Sequence, residues 1–221
     1  MFLYRREIDG LRSIAVIPVL FFHAGFSLFS GGFIGVDIFF VISGYLICKV
    51  MFKYRNLNSN SLFNFYVKRA RRTLPALLVM ILFSIPFFLY ILMPVNLKDY
   101  GQSLITTPIF LSNFLFGSEN DYWGAISELK PLLHTWSLSI EWQFYILFPL
   151  LFFFKKRFAI FLILFLASFI SNILINFDEL HVYINNHKIR IADFFFTTNR
   201  IWEFIIGSCL YVLEKDYKNK I

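Results

Sequence analysis

The sequence predicts an all-α protein, a polytopic bundle of about six transmembrane helices with both termini on the cytoplasmic side. Of its 221 residues, 58% are hydrophobic and only 16% are charged, whereas a soluble domain usually has about 25% charged residues. The mean hydropathy is +0.65, and the 31 Phe residues exceed what one small soluble core could bury. This composition excludes a soluble enzyme, a disordered chain and a nucleic-acid-binding module, so we expect no nucleic-acid partner.

Each predicted span is an apolar run close to the roughly 20 residues that an α-helix needs to cross a bilayer. In chain order these runs are 11–29, 33–52, 74–93, 136–154, 158–175 and 194–213. The apolar stretch 104–116 is too short to cross, and we expect it to be re-entrant or interfacial. A single membrane domain is therefore expected over residues 1–221.

The basic residues orient these spans. Segments predicted on the cytoplasmic side carry fourteen of the 21 Lys and Arg residues, and the outer segments carry four. Cytoplasmic loops of membrane proteins are enriched in Lys and Arg, so the net charge of +7 indicates topology. The two cysteines, Cys48 and Cys209, lie in apolar segments and form neither a disulfide framework nor a metal site.

Arg12 and His23 are the first ionisable residues inside a predicted span, where such groups are costly and usually face a cavity or a partner. They are eleven residues apart, so on an α-helix they share a face about 16 Å apart along the axis. Arg12 would then bind an anion at the cytoplasmic mouth, and His23 would provide an acid/base group deeper in the membrane, so that the two line one path. Alternatively, His23 bonds a neighbouring helix and Arg12 reaches lipid phosphate.

The second span begins with Gly31, Gly32 and Gly35 and carries Asp37 near its outer end. The glycines predict close helix packing or a sharp turn. Because the connection from His23 is short, we expect Asp37 to meet the imidazole and fix its tautomer.

A basic cluster, Lys68-Arg69-Ala-Arg-Arg72, stands directly before the third span. Such a cluster is typical of anchoring to anionic lipid. Arg69 and Arg72, at positions i and i+3, also share a helix face that would clamp a phosphorylated ligand. Both interpretations stay open from charge alone.

The fourth span is entered from outside through His134-Thr-Trp-Ser-Leu-Ser-Ile-Glu141. His134 and Glu141 lie on nearly one helix face, and Ser137 lies one turn above Glu141. An interfacial aromatic belt around a polar helix contact is one interpretation. A functional site is the other, and the carboxylate beside Ser and His favours it. On the last span Arg200 and Glu203, at i and i+3, indicate a self-neutralising structural pair.

Together these segments resemble the acyltransferase-3 family of bacterial membrane acyltransferases. Five blocks carry the resemblance in family order over positions 8–207. They are Ile8-Asp-Gly-Leu-Arg12 with His23, Gly32-Phe-Ile-Gly-Val-Asp37, Phe65-Tyr-Val-Lys-Arg69-Ala-Arg-Arg72, His134 to Glu141, and Asn199-Arg200-Ile-Trp-Glu203.

The resemblance implies a multi-pass enzyme of the bacterial inner membrane. Such an enzyme moves an acyl group, commonly acetyl, from cytoplasmic acyl-CoA to an extracytoplasmic hydroxyl, for example of lipopolysaccharide, exopolysaccharide or peptidoglycan. Acyl-CoA is then a co-substrate, and no permanently bound cofactor is expected. The expected partners are membrane lipid, acyl-CoA and a saccharide or glycolipid acceptor. The expected site residues are His23, Glu141 and Asp37 for catalysis, Arg12, Arg69 and Arg72 for acyl-CoA, and Ser137 and His134 for the acceptor.

Two features depart from the family. The position after Glu141, often acidic in the family, is Trp142, and family members usually carry several more spans than six. The chain is therefore expected to be either a C-terminally shortened enzyme or an incomplete bundle. In the second case it is a non-catalytic remnant or a membrane subunit whose partner supplies further helices. A small transporter would use the same intramembrane charges, but no inverted halves or paired broken helices are apparent.

Overall fold

A computed structural model of the chain describes residues 5–54, 59–119, 130–152, 157–175, 181–184, 187–190 and 195–218. Within these ranges the chain forms eight α-helices and one antiparallel hairpin. The helices are α1 (Arg6–His23), α2 (Ile34–Lys53), α3 (Ser59–Ile91), α4 (Pro94–Thr106), α5 (Ser112–Glu119), α6 (Thr135–Leu151), α7 (Arg157–Ile175) and α8 (Ile201–Lys218). The hairpin consists of β1 (His181–Ile184) and β2 (His187–Arg190). Short 3₁₀ turns at Ser27–Phe29 and Thr197–Asn199 precede α2 and α8.

Each predicted span coincides with a helix over most of its length, but the all-α prediction misses the hairpin. Val182, Tyr183 and Ile189 are β-branched or aromatic, which favours strands in that segment. Among the described residues, two helices are long and apolar enough to cross a bilayer, Ile34–Lys53 and Asn60–Ile91. The six-span topology with both termini inside stays a prediction.

The central helices α2 and α8 touch along their backbones because glycines face each other there. A Cβ on Gly44 of α2 would lie 2.0 Å from the carbonyl oxygen of Phe204. Likewise, a Cβ on Gly207 of α8 would lie 1.9 Å from the carbonyl oxygen of Val41. Small residues at these positions allow the close approach, and the buried Phe204 ring stacks on Phe40 at a centroid distance of 4.8 Å.

Helix α1 packs against the first half of α2 in the same manner. A Cβ on Gly35 would lie 2.1 Å from the carbonyl oxygen of Ala15, which confirms the close packing predicted from the glycines. After His23 the chain leaves α1 through Gly25, whose φ is +79°, a left-handed conformation that glycine adopts without steric cost. This reversal places the end of α1 beside the start of α2.

The short helix α5 and the turn before it dock on α6 through polar side chains. Ser112 Oγ lies 2.8 Å from Ser139 Oγ, and Gln143 Nε2 donates to the Phe110 carbonyl at 2.9 Å. The stretch 104–116, predicted to be re-entrant or interfacial, contains the end of α4, a turn and the start of α5. Phe110 lies in that turn with a positive φ of 58°. The position of this segment in a membrane stays a prediction.

Candidate functional site

An open cleft of about 1050 Å³ lies between α1, α2 and α6. It brings together four residues predicted from the sequence: His23 at the end of α1, and His134, Ser137 and Glu141 at the start of α6. Most of the remaining wall is apolar and comes from the same three helices. We call this space the outer cleft, because the predicted topology places it towards the extracytoplasmic side.

The hydrogen bonding of His23 defines its neutral tautomer. Its Nδ1 lies 2.9 Å from the carbonyl oxygen of Val19, one turn earlier on α1. A carbonyl oxygen only accepts hydrogen bonds, so Nδ1 carries the hydrogen and the lone pair of the neutral ring is on Nε2. Nε2 is therefore the nitrogen that can take a proton from a hydroxyl group in the outer cleft.

Asp37 lies elsewhere, and the contact expected between Asp37 and His23 is replaced by a backbone carbonyl. The Asp37 carboxylate accepts a hydrogen bond from Arg200 Nη1 at 3.0 Å, and the same nitrogen lies 2.9 Å from Glu203 Oε1. Asp37 follows Val36, which lines the outer cleft, so on a helix it points about 100° away, towards the start of α8. The predicted Arg200–Glu203 pair is confirmed, with Asp37 as its third member.

Glu141 is held by two hydroxyl groups. Ser43 of α2 and Tyr145 of α6 both donate a hydrogen bond to Glu141 Oε1. Both donors are buried, at 1% and 3% exposure. The sequence pattern did not single out Ser43 or Tyr145 as site residues. The i, i+4 spacing of Glu141 and Tyr145 indicates their contact, but the contribution of Ser43 depends on how α2 packs against α6.

His134 and Ser137 form the edge of the outer cleft on α6. Ser137 Oγ donates to the backbone carbonyl of His134 at 3.1 Å. Partial desolvation lowers the pKa of His134 below its ordinary value, nearby His23 lowers it further, and the carbonyl of Pro131 acts in the opposite direction. At neutral pH His134 is therefore mainly uncharged, and its ring can both donate and accept a hydrogen bond.

A second cleft, of about 570 Å³, lies between α1, α2 and α3 and is strongly basic. The predicted anion-binding residues Arg12, Arg69 and Arg72 all line it. The other charged residues along its wall are Arg5, Asp9, Lys49 and Lys68. We call this space the inner cleft. Six cations facing one carboxylate give the inner cleft a strongly positive electrostatic potential, which attracts anions.

Arg5 is anchored at the edge of the inner cleft by two partners from other helices. Its Nη2 lies 2.5 Å from Glu214 Oε1 of α8, and its Nη1 donates to the Tyr45 hydroxyl of α2 at 2.8 Å. Tyr45 in turn donates to Glu214. The hydrogen bond to Glu214 raises the pKa of Arg5 above its ordinary value, so Arg5 stays charged and joins α1, α2 and α8.

A polar group separates the two clefts. The Arg69 guanidinium carbon lies 4.5 Å from the centroid of the Tyr145 ring, and Tyr145 bonds Glu141. We call Ser43, Arg69, Glu141 and Tyr145 the central polar cluster. Arg12 lies within electrostatic range of Tyr145 and Glu141 in this cluster. Among the described residues, its buried Nε has no hydrogen-bond partner.

Trp142 contributes to packing and lines neither cleft. Its indole ring stacks on Phe110 at a centroid distance of 4.4 Å and an interplanar angle of 10°. A tryptophan at this position therefore strengthens the contact between α6 and the turn after α4. Across the described ranges, no group of three or more His, Cys, Asp and Glu side chains could hold a metal ion.

Comparison with known proteins places the chain among acyltransferases. Residues 5–221 match the family described as an acyltransferase domain, acyltransferase-3. O-acetyltransferase OatA of Staphylococcus aureus is 36% identical over 233 residues, which cover 99% of this chain and 37% of that protein. Peptidoglycan O-acetyltransferase OatA of Listeria monocytogenes is 41% identical over 148 residues, 66% of this chain and 24% of the relative.

A putative O-acetyltransferase of another Staphylococcus aureus strain is 34% identical over 98% of this chain and 36% of its own length. The chain thus covers 37% or less of the length of these relatives. No solved structure matches the chain significantly.

Proposed function

Because the chain belongs to the acyltransferase-3 family, we propose that it transfers an acetyl group from cytoplasmic acyl-CoA to a hydroxyl of a cell-surface glycan or glycolipid. One observation carries the proposal: a basic cleft and a histidine-containing cleft stand on opposite sides of the central polar cluster. The relatives named as O-acetyltransferases support acetyl as the acyl group, and the Listeria peptidoglycan O-acetyltransferase supports peptidoglycan as the acceptor.

The inner cleft suits CoA because CoA carries several phosphate groups. Arg69 and Arg72 project from one face of α3 into the cleft, and the planar guanidinium donates paired hydrogen bonds to phosphate oxygens. Arg12 lies deeper, and its buried Nε lacks a hydrogen-bond partner within the described part of the chain. An oxygen atom of the bound donor would accept that hydrogen bond, which lowers the free energy of the complex.

In the proposed reaction His23 acts as a general base in the outer cleft. Its Nε2 removes the proton from the acceptor hydroxyl, and the hydroxyl oxygen attacks the thioester carbonyl carbon. The new C–O bond forms, the C–S bond breaks, and the CoA thiolate receives the proton from the imidazolium. Glu141, in the same cleft, stabilises the positive charge that His23 gains. His134 and Ser137 bind the acceptor, and Asp37 acts only through Arg200, by holding α2 against α8.

The proposal places the protein in the bacterial inner membrane as a multi-pass protein with six spans. The two long apolar helices support a membrane location. The basic inner cleft then faces cytoplasmic acyl-CoA, and the outer cleft faces the glycan. The proposal includes a second form, in which the chain is a subunit and a partner protein supplies further helices.

Transfer of label from acetyl-CoA tests this function. Membranes that contain the chain would be incubated with labelled acetyl-CoA and a peptidoglycan or lipid-linked glycan acceptor, with His23→Ala and Ile17→Ala alongside. Ile17 is an exposed residue of the same helix that does not line the outer cleft. We expect label in the acceptor with the native chain and Ile17→Ala, and none with His23→Ala at equal membrane levels.

Co-expression with the C-terminal part of a longer relative separates a self-sufficient enzyme from a subunit. Label that requires this second polypeptide identifies the chain as a subunit of a composite enzyme. No label in either arrangement, with donor and acceptor present, would refute the proposed function.

A further inference from the structure

Within the central polar cluster, Tyr145 contacts one residue of the outer cleft and one residue of the inner cleft. It is 3% exposed and lies on α6, one turn after Glu141. Its hydroxyl donates to Glu141, which lines the outer cleft. Its ring lies against the guanidinium of Arg69, which lines the inner cleft. A single rigid ring therefore connects a residue of one cleft to a residue of the other.

On the outer side, the hydroxyl of Tyr145 determines where the Glu141 carboxylate points. Tyr145 and Ser43 both donate to the same oxygen, Oε1. Two donors on one oxygen hold the carboxylate in one orientation. The second oxygen, Oε2, takes part in neither of these two hydrogen bonds. Loss of the tyrosine hydroxyl would leave this orientation to Ser43 alone.

On the inner side, the ring of Tyr145 determines where Arg69 lies. The guanidinium is 4.5 Å from the Tyr145 centroid and 5.8 Å from the Phe65 centroid. A guanidinium that stacks on a ring keeps its N–H groups in the plane, where they bind phosphate. Arg69 can therefore hold an anion without leaving Tyr145, and a bound anion restrains the ring through Arg69.

We propose that Tyr145 is a positioning residue that couples occupancy of the inner cleft by a phosphorylated donor to the orientation of Glu141 in the outer cleft. This inference rests on the proposed function, because the coupling orients Glu141 for acyl transfer only when the donor is bound. Its physical basis is the chain of contacts from Arg69 through Tyr145 to Glu141.

Two substitutions separate the two contacts of Tyr145. Tyr145→Phe keeps the ring under Arg69 and removes the hydroxyl, whereas Tyr145→Leu removes both. Tyr66→Phe is the matched control, because Tyr66 also joins α3 to α6 and its hydroxyl donates to the Ile146 carbonyl at 3.2 Å. In label-transfer assays we expect Tyr145→Phe to lower kcat about tenfold or more with KM for acetyl-CoA within twofold. Tyr145→Leu also raises KM, and Tyr66→Phe changes neither.

A second measurement does not depend on activity. Ser137→Cys places a thiol in the outer cleft, and Cys209→Ser removes the exposed native thiol, while Cys48 is buried. The rate of reaction with a polar maleimide is measured with and without CoA. We expect CoA to change this rate at least threefold when Tyr145 is intact and to leave it unchanged in Tyr145→Phe.

The outcomes distinguish the coupling from the proposed function. If label transfer fails in the native chain but CoA changes the labelling rate only when Tyr145 is intact, the function is wrong and the coupling holds. If CoA changes the rate equally in Tyr145→Phe, or in neither protein, the coupling is wrong. Equal kcat for an active native chain and Tyr145→Phe also overturns it, while leaving the proposed function in place.

Discussion

The contact between α2 and α8 gives the sharpest stability prediction, because Gly44→Ala adds one methyl group where no space exists. The new Cβ would lie 2.0 Å from the carbonyl oxygen of Phe204, whereas Cβ atoms stay beyond 3.0 Å from such atoms. The two helices must therefore separate by about 1 Å, which also loosens the stacking of Phe204 on Phe40 of α2 at 4.8 Å. Overpacking of this kind costs about 1–3 kcal/mol. For a chain of this size the Tm should fall by about 2–12 °C.

Heating of the detergent-solubilised protein, followed by size-exclusion chromatography of the surviving fraction, measures this shift. Gly101→Ala is the matched control, since Gly101 lies inside α4 and a Cβ there would meet no other described part of the chain within 4 Å, apart from its own helix backbone and neighbours. Alanine is favoured over glycine in a helix by about 1 kcal/mol, so the Tm of this variant should equal or exceed that of the native chain. Equal Tm values for the two variants would show that α2 and α8 are not in backbone contact.

Three further predictions concern charged groups. Arg200→Met leaves the buried Glu203 carboxylate and the partly exposed Asp37 carboxylate without a counter charge. Because Glu203 is buried, this substitution should lower the free energy of unfolding by about 3–5 kcal/mol, seen as a lower Tm. Arg72→Ala should weaken CoA binding about tenfold at low salt. This effect shrinks as added salt screens the charges. Arg71→Ala, at an exposed residue outside the inner cleft, should leave CoA binding unchanged. Because the pKa of His134 is lowered on folding, the stability that its neutral form contributes is lost as the pH falls below about 6.5. The native Tm should therefore drop more than that of His134→Gln between about pH 7.5 and 5.5. An equal drop in both proteins would contradict the lowered pKa.

The sequence was most informative about side chains that share one helix. Helical spacing put His134, Ser137 and Glu141 on one face, and all three line the outer cleft. The same reasoning put Arg69 and Arg72 together, and both line the inner cleft. The 3.6-residue period of an α-helix determines which residues share a face, whatever the neighbouring helices are.

The failures concern contacts between helices that are distant along the chain. Asp37 pairs with Arg200, 163 residues away, because the glycine contacts of α2 set its rotation against α8. Ser43 reaches Glu141 across 98 residues for the same reason. Periodicity tells which residues share a face, but the identity of the facing helix depends on packing. The hairpin between α7 and α8 has no counterpart in the prediction, because each of its strands has only four residues and leaves little pattern in the sequence.

The anchoring of Arg5 constrains how the chain threads a membrane. Arg5 precedes α1 and Glu214 lies in the last turns of α8, yet their side chains are 2.5 Å apart. A hydrocarbon layer about 30 Å thick cannot lie between two groups in contact. The number of complete crossings between these residues must therefore be even, whatever the hydropathy of the segments between them. Six crossings satisfy this parity rule, and five or seven violate it. Compartment-specific reporters fused before Arg5 and after Glu214 should accordingly give the same signal.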